Sequence, residues 1–380
     1  DPYRNSMKVK LRLLDEVSCI FVGLHGDHAK KLYELFGYHV PGYFFQPLYK
    51  LGRWDGKVRH FQLTGKTYIY LLERILPKLA QWGYKIEIED LRHDIYDQPE
   101  LIDDQIFKHI IHKDTGEPTM LREHQVELVN ALISDGHGIG IAATSAGKTI
   151  MCASLCYAYG KTGIKTLTIV PSTDLVRQTK EDYIAYLGKE NVGEYSGNSK
   201  DISPQHIVST WQALKNNPKI IQQFKMVIVD ECQGLKGKVL TDILVAHAAH
   251  IPFRFGVTGT LPKEEADQMA VHIAVGDVKY TVGAAALIDK GILSNLHIHM
   301  LQLEEDFHDQ WKKYCAEEVQ FGEKPPTYTQ YKDSYFPDFT SEKDYLHRNQ
   351  TRIEYIADLI MMKRDEKKGN VLCLVDSIKF

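Results

Sequence analysis

Hydrophobic positions follow two different rhythms along the chain. Over residues 8–14 basic and apolar residues alternate, with Lys8, Lys10 and Arg12 set against Val9, Leu11 and Leu13. A period of two predicts a strand with one face in water. Residues 28–36 predict a short helix, 43–49 an aromatic strand, 70–82 a helix that Pro77 threatens to break, and 84–88 a further strand. A polar, turn-forming stretch at 112–118 then marks a boundary. Beyond it the pattern changes to short continuous apolar runs alternating with helical segments. The runs are 138–142, 166–170, 206–209, 226–229 and 253–257; helices are predicted over 150–159, 174–187 and 241–249. Such alternation predicts a parallel sheet covered on both faces. A strand-like run returns at 296–303, a charged and aromatic irregular insertion occupies 304–343, a helix is expected over 347–362, and 370–375 reads as a buried strand.

This pattern divides the chain into four segments. Residues 1–6 precede Met7 and read as an appended remnant outside the fold. Residues 7–113 form a small α+β domain, 114–296 an α/β domain, and 297–380 the beginning of a second one. A buried strand needs a sheet around it, so a chain that stops five residues after 375 is expected to be a fragment of a longer protein.

Composition adds boundaries. The 380 residues are 43% hydrophobic and 25% charged, as in globular proteins, with room for two or three domains. A net charge of -4 gives no global sign of nucleic-acid binding, so any such affinity must be local. No apolar run approaches the ~20 residues of a membrane span, and no secretory signal is visible. The six cysteines are scattered without a Cys-x-x-Cys pair, which fits a reducing cytoplasm. Cys152 and Cys156, one helical turn apart, are expected in the core.

Every polar cluster of the α/β segment falls at the carboxyl end of a predicted strand, where open α/β sheets bind ligands. The clearest is Ala142-Ala143-Thr144-Ser145-Ala146-Gly147-Lys148-Thr149, between a strand and a helix. Backbone N–H groups of Thr144, Ser145, Ala146 and Gly147 and a helix N-terminus would cradle a phosphate. Lys148 would reach the terminal phosphates and the Thr149 hydroxyl would hold Mg²⁺. Ala142 stands where the usual pattern begins with glycine. A second apolar strand ends in Asp230-Glu231. Asp230 would hold Mg²⁺ through water, and Glu231 would orient and deprotonate an attacking water. Arg122 and Gln125 lie just after the boundary; a glutamine amide offers the donor and acceptor that an adenine edge requires, although most glutamines are solvated. In the first domain, residues 50–59 hold Lys50, Arg53, Lys57 and Arg59 against Asp55 on a predicted hairpin, with Trp54 near its tip. This reads either as a nucleic-acid patch or as a core tryptophan beside an ordinary turn.

The order of these clusters resembles the superfamily 2 helicases. Arg122-x-x-Gln125 matches their adenine-reading segment, Ala142–Thr149 their motif I, and Pro171-Ser172-Thr173-x-Leu175-Val176-x-Gln178 their motif Ia. Ser209-Thr210-Trp211-Gln212 matches the later strand-contacting segment. Asp230-Glu231-Cys232-Gln233 matches motif II, with Gln233 where many members have His or Asp, and Thr258-Gly259-Thr260 matches motif III, which links hydrolysis to motion. Tyr49-x-x-Gly52-x-Trp54-Asp55-Gly56-Lys57 ahead of the phosphate loop is similar to the UvsW family of phage recombination and repair helicases.

The resemblance implies a small N-terminal domain followed by two RecA-like domains, the second incomplete here. It implies ATP and Mg²⁺ as cofactors and DNA, forked or branched, as partner, in a host cytoplasm. It implies branch migration, fork regression and R-loop unwinding as activities. It assigns DNA contacts to Arg53, Trp54, Lys57, Pro171, Ser172, Thr173, Thr210 and Gln212, and coupling to Thr258, Gly259 and Thr260. The arginine fingers of such enzymes lie in a later motif of the second domain, with no candidate before Phe380. Nucleotide and DNA binding with little turnover are therefore expected of this chain. An RNA helicase with the same core remains an alternative, because backbone contacts carry little base identity. So does a DNA-binding module with a vestigial nucleotide site. A small-molecule kinase is disfavoured by motif Ia and by Thr258-Gly259-Thr260.

Overall fold

A computed structural model describes residues 7–92, 96–111, 115–197, 199–294, 308–317, 324–335 and 339–365. The chain falls into two compact units, Asp1–Leu296 and His297–Phe380.

The first unit begins with a four-stranded sheet. Its strands are β1 (Met7–Leu13), β2 (Ser18–Val22), β5 (Lys66–Tyr68) and β6 (Tyr84–Asp90), in the order β5-β2-β1-β6. Helices α1 (Gly26–Leu35) and α3 (Leu72–Gln81) cover it. The apolar positions of the predicted alternation, Val9 and Leu11, are buried there with Leu32, Ile75 and Leu79. Pro77 does not break α3. Glu73 and Pro77 are both exposed, so water can satisfy the carbonyl that proline leaves unbonded. The predicted strand at 43–49 is instead a 3₁₀ turn (Tyr43–Phe45) followed by the single helical turn α2 (Pro47–Lys50). Proline fits the first turn of a helix and cannot donate to a ladder, which explains the difference. The predicted hairpin at 50–59 is also replaced. β4 (Lys57–Arg59) pairs with β3 (Gly37–His39), and residues 40–56 form one long excursion between the two.

An eight-stranded sheet follows, in the order β10-β9-β11-β8-β12-β13-β7-β14. Its members are β7 (His137–Ala142), β8 (Thr166–Val170), β9 (Val192–Ser196), β10 (Ser199–Lys200), β11 (His206–Thr210), β12 (Met226–Asp230), β13 (Phe253–Thr258) and β14 (Val278–Val282). All pairs are parallel except β9 with β10. The five predicted strands are present; β9, β10 and β14 are additional. The central strands are buried on both faces, which accounts for their unbroken apolar runs. Helices α4 (Glu123–Asp135), α5 (Lys148–Lys161), α6 (Thr173–Leu187) and α10 (Ala284–Asp289) bury side chains in one core cluster, and α7 (Trp211–Asn216), α8 (Lys238–Asp242) and α9 (Glu265–Val275) in another. This is a RecA-like layer.

Three departures from the expected elements have physical causes. Ile102 and Phe107 lie before the expected boundary, yet they bury in the core of the large sheet beside Leu128 and Tyr159. Asn130 holds that segment by accepting from the Ile102 N–H at 2.8 Å and donating to its carbonyl at 2.9 Å. The change of core therefore falls before residue 96, and residues 96–111 belong with the second core. The helix expected over 241–249 is α8 followed by a wider π turn, Ile243–His247. Arg254, fully buried on β13, donates to the carbonyls of Leu244 (2.6 Å), Ala248 (2.5 Å), Ile251 and Ala274 (2.8 Å), which holds that turn open. The two cores are also joined. Met269 and Ile273 of α9 bury among the side chains of the small sheet, and His272 Nε2 lies 2.7 Å from the Tyr70 carbonyl.

In the second unit the described residues form α11 (His308–Glu317), α12 (Tyr328–Tyr335), α13 (Phe339–Arg348) and α14 (Gln350–Asp365). Within the stretch expected to be irregular, the described residues are thus largely helical, and the expected helix over 347–362 is the end of α13 followed by α14. Trp311 Nε1 donates to the Pro326 carbonyl at 2.9 Å, tying α11 to the segment before α12. The strands expected at 296–303 and 370–375 lie outside the described residues.

Candidate nucleotide and nucleic-acid site

The order of the large sheet decides which sequence clusters meet. β13 lies between β7 and β12. The phosphate loop leaves β7, the paired acids leave β12, and Thr258-Gly259-Thr260 leaves the strand between them. Lys148 Nζ consequently stands 3.9 Å from Glu231 Oε1. A Cβ built on Gly259 would lie 3.9 Å from the same nitrogen.

Strain marks the same place. Among the described residues, the non-glycine positions with positive φ are Ser145 (67°) and Glu231 (52°). Each such conformation costs about 1–3 kcal/mol and persists where the surroundings over-determine it. Gly147, the N-cap of α5, has φ 91°. Behind the loop, α5 is apolar nearly all round, with Met151, Cys152, Leu155, Cys156 and Tyr159 buried. That anchors its N-terminus against the sheet and leaves its first N–H groups facing the ligand end. Both cysteines are core residues, as expected.

Asp230 and Glu231 differ. Glu231 is partly exposed and accepts from Gln233 Nε2 at 2.8 Å. Asp230 is more enclosed; burial, and then the Glu231 charge, push its carboxyl above the usual aspartate value. A carboxylate disfavoured in this way calls for a cation. With the Thr149 hydroxyl on the first turn of α5, the donors are hard oxygens, which suit Mg²⁺. Among the described residues no group of three or more His, Cys, Asp or Glu could hold a metal ion. A nucleotide-borne Mg²⁺ needs no such cage, since phosphates and water complete its shell.

Gln233, at the position where the sequence departs from the helicase pattern, forms a bridge. Its amide donates to Glu231, and its carbonyl oxygen accepts from the Thr258 hydroxyl. Thr258 Oγ1 also lies 2.7 Å from the Thr260 carbonyl and accepts from the Thr260 N–H at 3.2 Å. A continuous polar chain therefore runs from Lys148 through Glu231, Gln233 and Thr258 to Thr260.

Gln125, expected to read an adenine edge, is buried against the phosphate loop. It is 4% exposed; Nε2 donates to the Ala146 carbonyl at 3.0 Å and Oε1 accepts from the Arg122 N–H at 2.9 Å. His124 Nε2 reaches the same carbonyl at 3.0 Å. Arg122 is the N-cap of α4, with its backbone in that bond. Each end of the amide makes one bond to the protein, so in this structure Gln125 props the phosphate loop. The sequence shows a Gln with the right spacing but cannot show these bonds to Arg122 and Ala146.

A cleft of about 620 Å³ opens at the same edge of the sheet, lined by Thr173, Tyr195, Ser196, Lys200, Thr210 and Gln212 among others. Ser172 Oγ accepts from the Leu175 N–H and Thr210 Oγ1 from the Ala213 N–H, both at 3.3 Å. These hydroxyls act as N-caps of α6 and α7. Thr210 is buried, while Pro171, Ser172, Thr173 and Gln212 are exposed. Tyr195, Ser196 and Lys200, on strands that carry no motif, were not legible in the sequence. Arg53, Trp54 and Lys57 do not line this cleft. Trp54 is half-buried and donates from Nε1 to the Lys57 carbonyl at 3.0 Å, so it does not form an exposed tip. Arg59 is tied to Asp55 and Glu34.

A parallel sheet with a phosphate loop, paired acids and a threonine turn on three adjacent strands defines a RecA-like nucleotide-binding layer. The chain matches the family model for the N-terminal domain of the DNA helicase UvsW over residues 8–89, and that for the res subunit of type III restriction enzymes over residues 119–263. It is 27% identical over 289 residues to the ATP-dependent DNA helicase uvsW of Enterobacteria phage T4, covering 72% of this chain and 56% of that protein. It is 26% identical over 197 residues to the DNA 3'-5' translocase XPB2 of Sulfurisphaera tokodaii, covering 51% and 44% of the two. A crystal structure of the UvsW helicase from bacteriophage T4 matches with a TM-score of 0.59 at 22% identity, over 72% of this chain and 100% of that one. The chain is thus similar in sequence, over both segments, to UvsW-like helicases and shares the fold of the T4 structure. It spans about half the length of the curated relatives it matches.

Proposed function

We propose that the protein is an ATP-dependent DNA helicase or translocase acting on branched DNA, in branch migration, fork regression or R-loop unwinding during phage recombination and repair. The observation that carries this reading is the polar chain from Lys148 to Thr260. It joins a phosphate-binding lysine to the turn that follows the neighbouring strand, as a motor must join hydrolysis to movement.

In this reading the backbone of Thr144, Ser145, Ala146 and Gly147 and the Lys148 ammonium hold the phosphates. Thr149 and Asp230 would hold Mg²⁺, which would supply charge neutralisation for phosphoryl transfer. Glu231, partly exposed and beside Lys148, accepts a proton from the attacking water. When the terminal phosphate leaves, Lys148 loses a partner and Glu231 changes its charge environment. Gln233 transmits that change to Thr258, Gly259 and Thr260. Pro171, Ser172, Thr173, Thr210 and Gln212 contact the strand through backbone phosphates along the cleft, with Lys200 as a further cation. Such contacts make binding salt-sensitive and largely independent of sequence. The host cytoplasm is the expected location.

The test combines nucleotide binding, four-way-junction binding and ATP turnover with and without the junction. The expected result is Mg²⁺-dependent ATP binding and salt-sensitive junction binding, with Lys148→Ala losing ATP affinity at least tenfold while keeping junction affinity. A folded chain that binds neither ligand would overturn the reading. Equal affinity for a branched RNA would turn it toward RNA.

A further inference from the structure

The excursion at residues 40–56 is built like a device rather than a loose loop. Its ends are closed by the Val40 N–H donating to the Gly56 carbonyl at 2.9 Å. Gly56 has φ 80° and lies flat under the Tyr43 ring, where a Cβ would collide. Inside, Phe45 N–H donates to the Gly42 carbonyl, Lys50 to Gln46, Leu51 to Pro47 and Arg53 to Leu48, all at 2.9–3.1 Å. The backbone is thus satisfied locally, as in compact Ω-loops. The side chains are not. Phe45 is 69% exposed, Leu51 65%, Leu48 55% and Phe44 51%. Four large apolar side chains within eight residues, on an ordered projection, form a patch that asks for a partner.

The surroundings say which partner. Lys50 and Arg53 are exposed and Lys57 is half-buried; among the described residues none of their side chains forms an ion pair, and only the Lys57 backbone N–H meets a carboxylate, Asp55 Oδ1 at 3.1 Å. The sole acid between residues 40 and 57, Asp55, is bound by Arg59, which holds it down to about 2. The projection is therefore apolar at its crest and positive at its flank, although the whole chain carries -4. A second copy docked symmetrically would bring the same cations face to face. A duplex end answers both features, with a flat apolar base pair for the crest and phosphates for the cations. Phe44 and Phe45, with ring centroids 4.3 Å apart, supply aromatic surface for stacking.

We propose that Phe44, Phe45, Leu48 and Leu51 form a wedge that stacks on the exposed terminal base pair at a DNA branch point, with Lys50, Arg53 and Lys57 gripping the adjacent phosphates. This deepens the proposed function and rests on it. It moves the stacking role from Trp54, which is bonded to its own loop, to a pair of phenylalanines that carry no helicase motif.

The test compares binding of a forked duplex with that of a linear duplex of equal length closed by hairpins at both ends, so that no base pair is left open. A 2-aminopurine placed at the fork reports stacking. In the intact chain the fork is expected to bind more tightly and to quench the probe. Phe44→Ala/Phe45→Ala should lose the fork preference about tenfold, the size expected for one stacked base, and leave closed-duplex affinity within twofold. Phe45→Trp should retain both the preference and the fluorescence change. The replaced side chains are exposed, and circular dichroism checks the fold. An unchanged fork preference in the double variant would overturn the wedge while leaving the helicase reading intact. So would a change confined to the oligomeric state in sedimentation, which would make the patch a contact between copies. Failure of the intact chain to bind either DNA would instead strike the functional reading itself.

Discussion

The phosphate loop is held from behind by α4, and Gly147→Ala measures that support. Gly147 has φ 91°, and a methyl group there would come well inside van der Waals contact of Gln125 Nε2. Gln125 cannot simply swing aside, because it is buried and both ends of its amide are bonded, to Ala146 and Arg122. Two costs follow. Holding alanine in a left-handed conformation costs about 1–2 kcal/mol. Displacing Gln125 gives up two hydrogen bonds worth about 0.5–1.5 kcal/mol each. The expected destabilisation is roughly 2–5 kcal/mol. Gln125→Ala forfeits the same two bonds but clears the space. In that background Gly147→Ala should cost only the backbone portion, about 1–2 kcal/mol. Urea titrations of the four proteins, followed by far-ultraviolet circular dichroism, form a double-mutant cycle. ATP affinity, measured in parallel, should fall with Gly147→Ala, since the loop's N–H groups are displaced. If the two substitutions add within about 0.5 kcal/mol, Gln125 and the loop are independent and the reasoning fails.

Two further substitutions test other parts of the structure. Arg254→Met leaves the carbonyls of Leu244, Ala248, Ile251 and Ala274 without their buried donor; with each orphaned group costing about 1–3 kcal/mol, the melting temperature should fall sharply, and a change within two degrees would refute the role. Asp230→Asn should raise the melting temperature of the ligand-free chain at neutral pH, because the folded state holds this carboxyl above its ordinary value and so pays to ionise it. The penalty is fully present above the folded pKa and absent below the unfolded one, so the difference between the two proteins should shrink as pH falls through the carboxylate range. The same substitution should abolish Mg²⁺-dependent tightening of ATP binding.

The sequence by itself determined the alternating strand β1, the buried parallel strands and the clusters that end them. It could do so because these signals are local. A strand buried on both faces must be apolar throughout, and a phosphate loop needs its residues in contiguous order. It also placed Asp230 and Glu231 at a strand end, where a sheet of this kind presents its ligand groups. Other features were decided only by the tertiary structure, because they depend on partners distant in the chain. Whether Gln125 is free for a base depends on Ala146, twenty-one residues away. Whether 241–249 is one α-helix depends on a buried Arg254 that takes its carbonyls. Strand order sets β13 between β7 and β12 and so brings Gln233 onto Thr258. The aromatic residues at 43–49 have strand propensity. Pro47 and the closure of Val40 on Gly56 instead turn them into a projection whose phenylalanines face water. Local preference set the elements; strand order and long-range hydrogen bonding set which of their side chains stayed free to act.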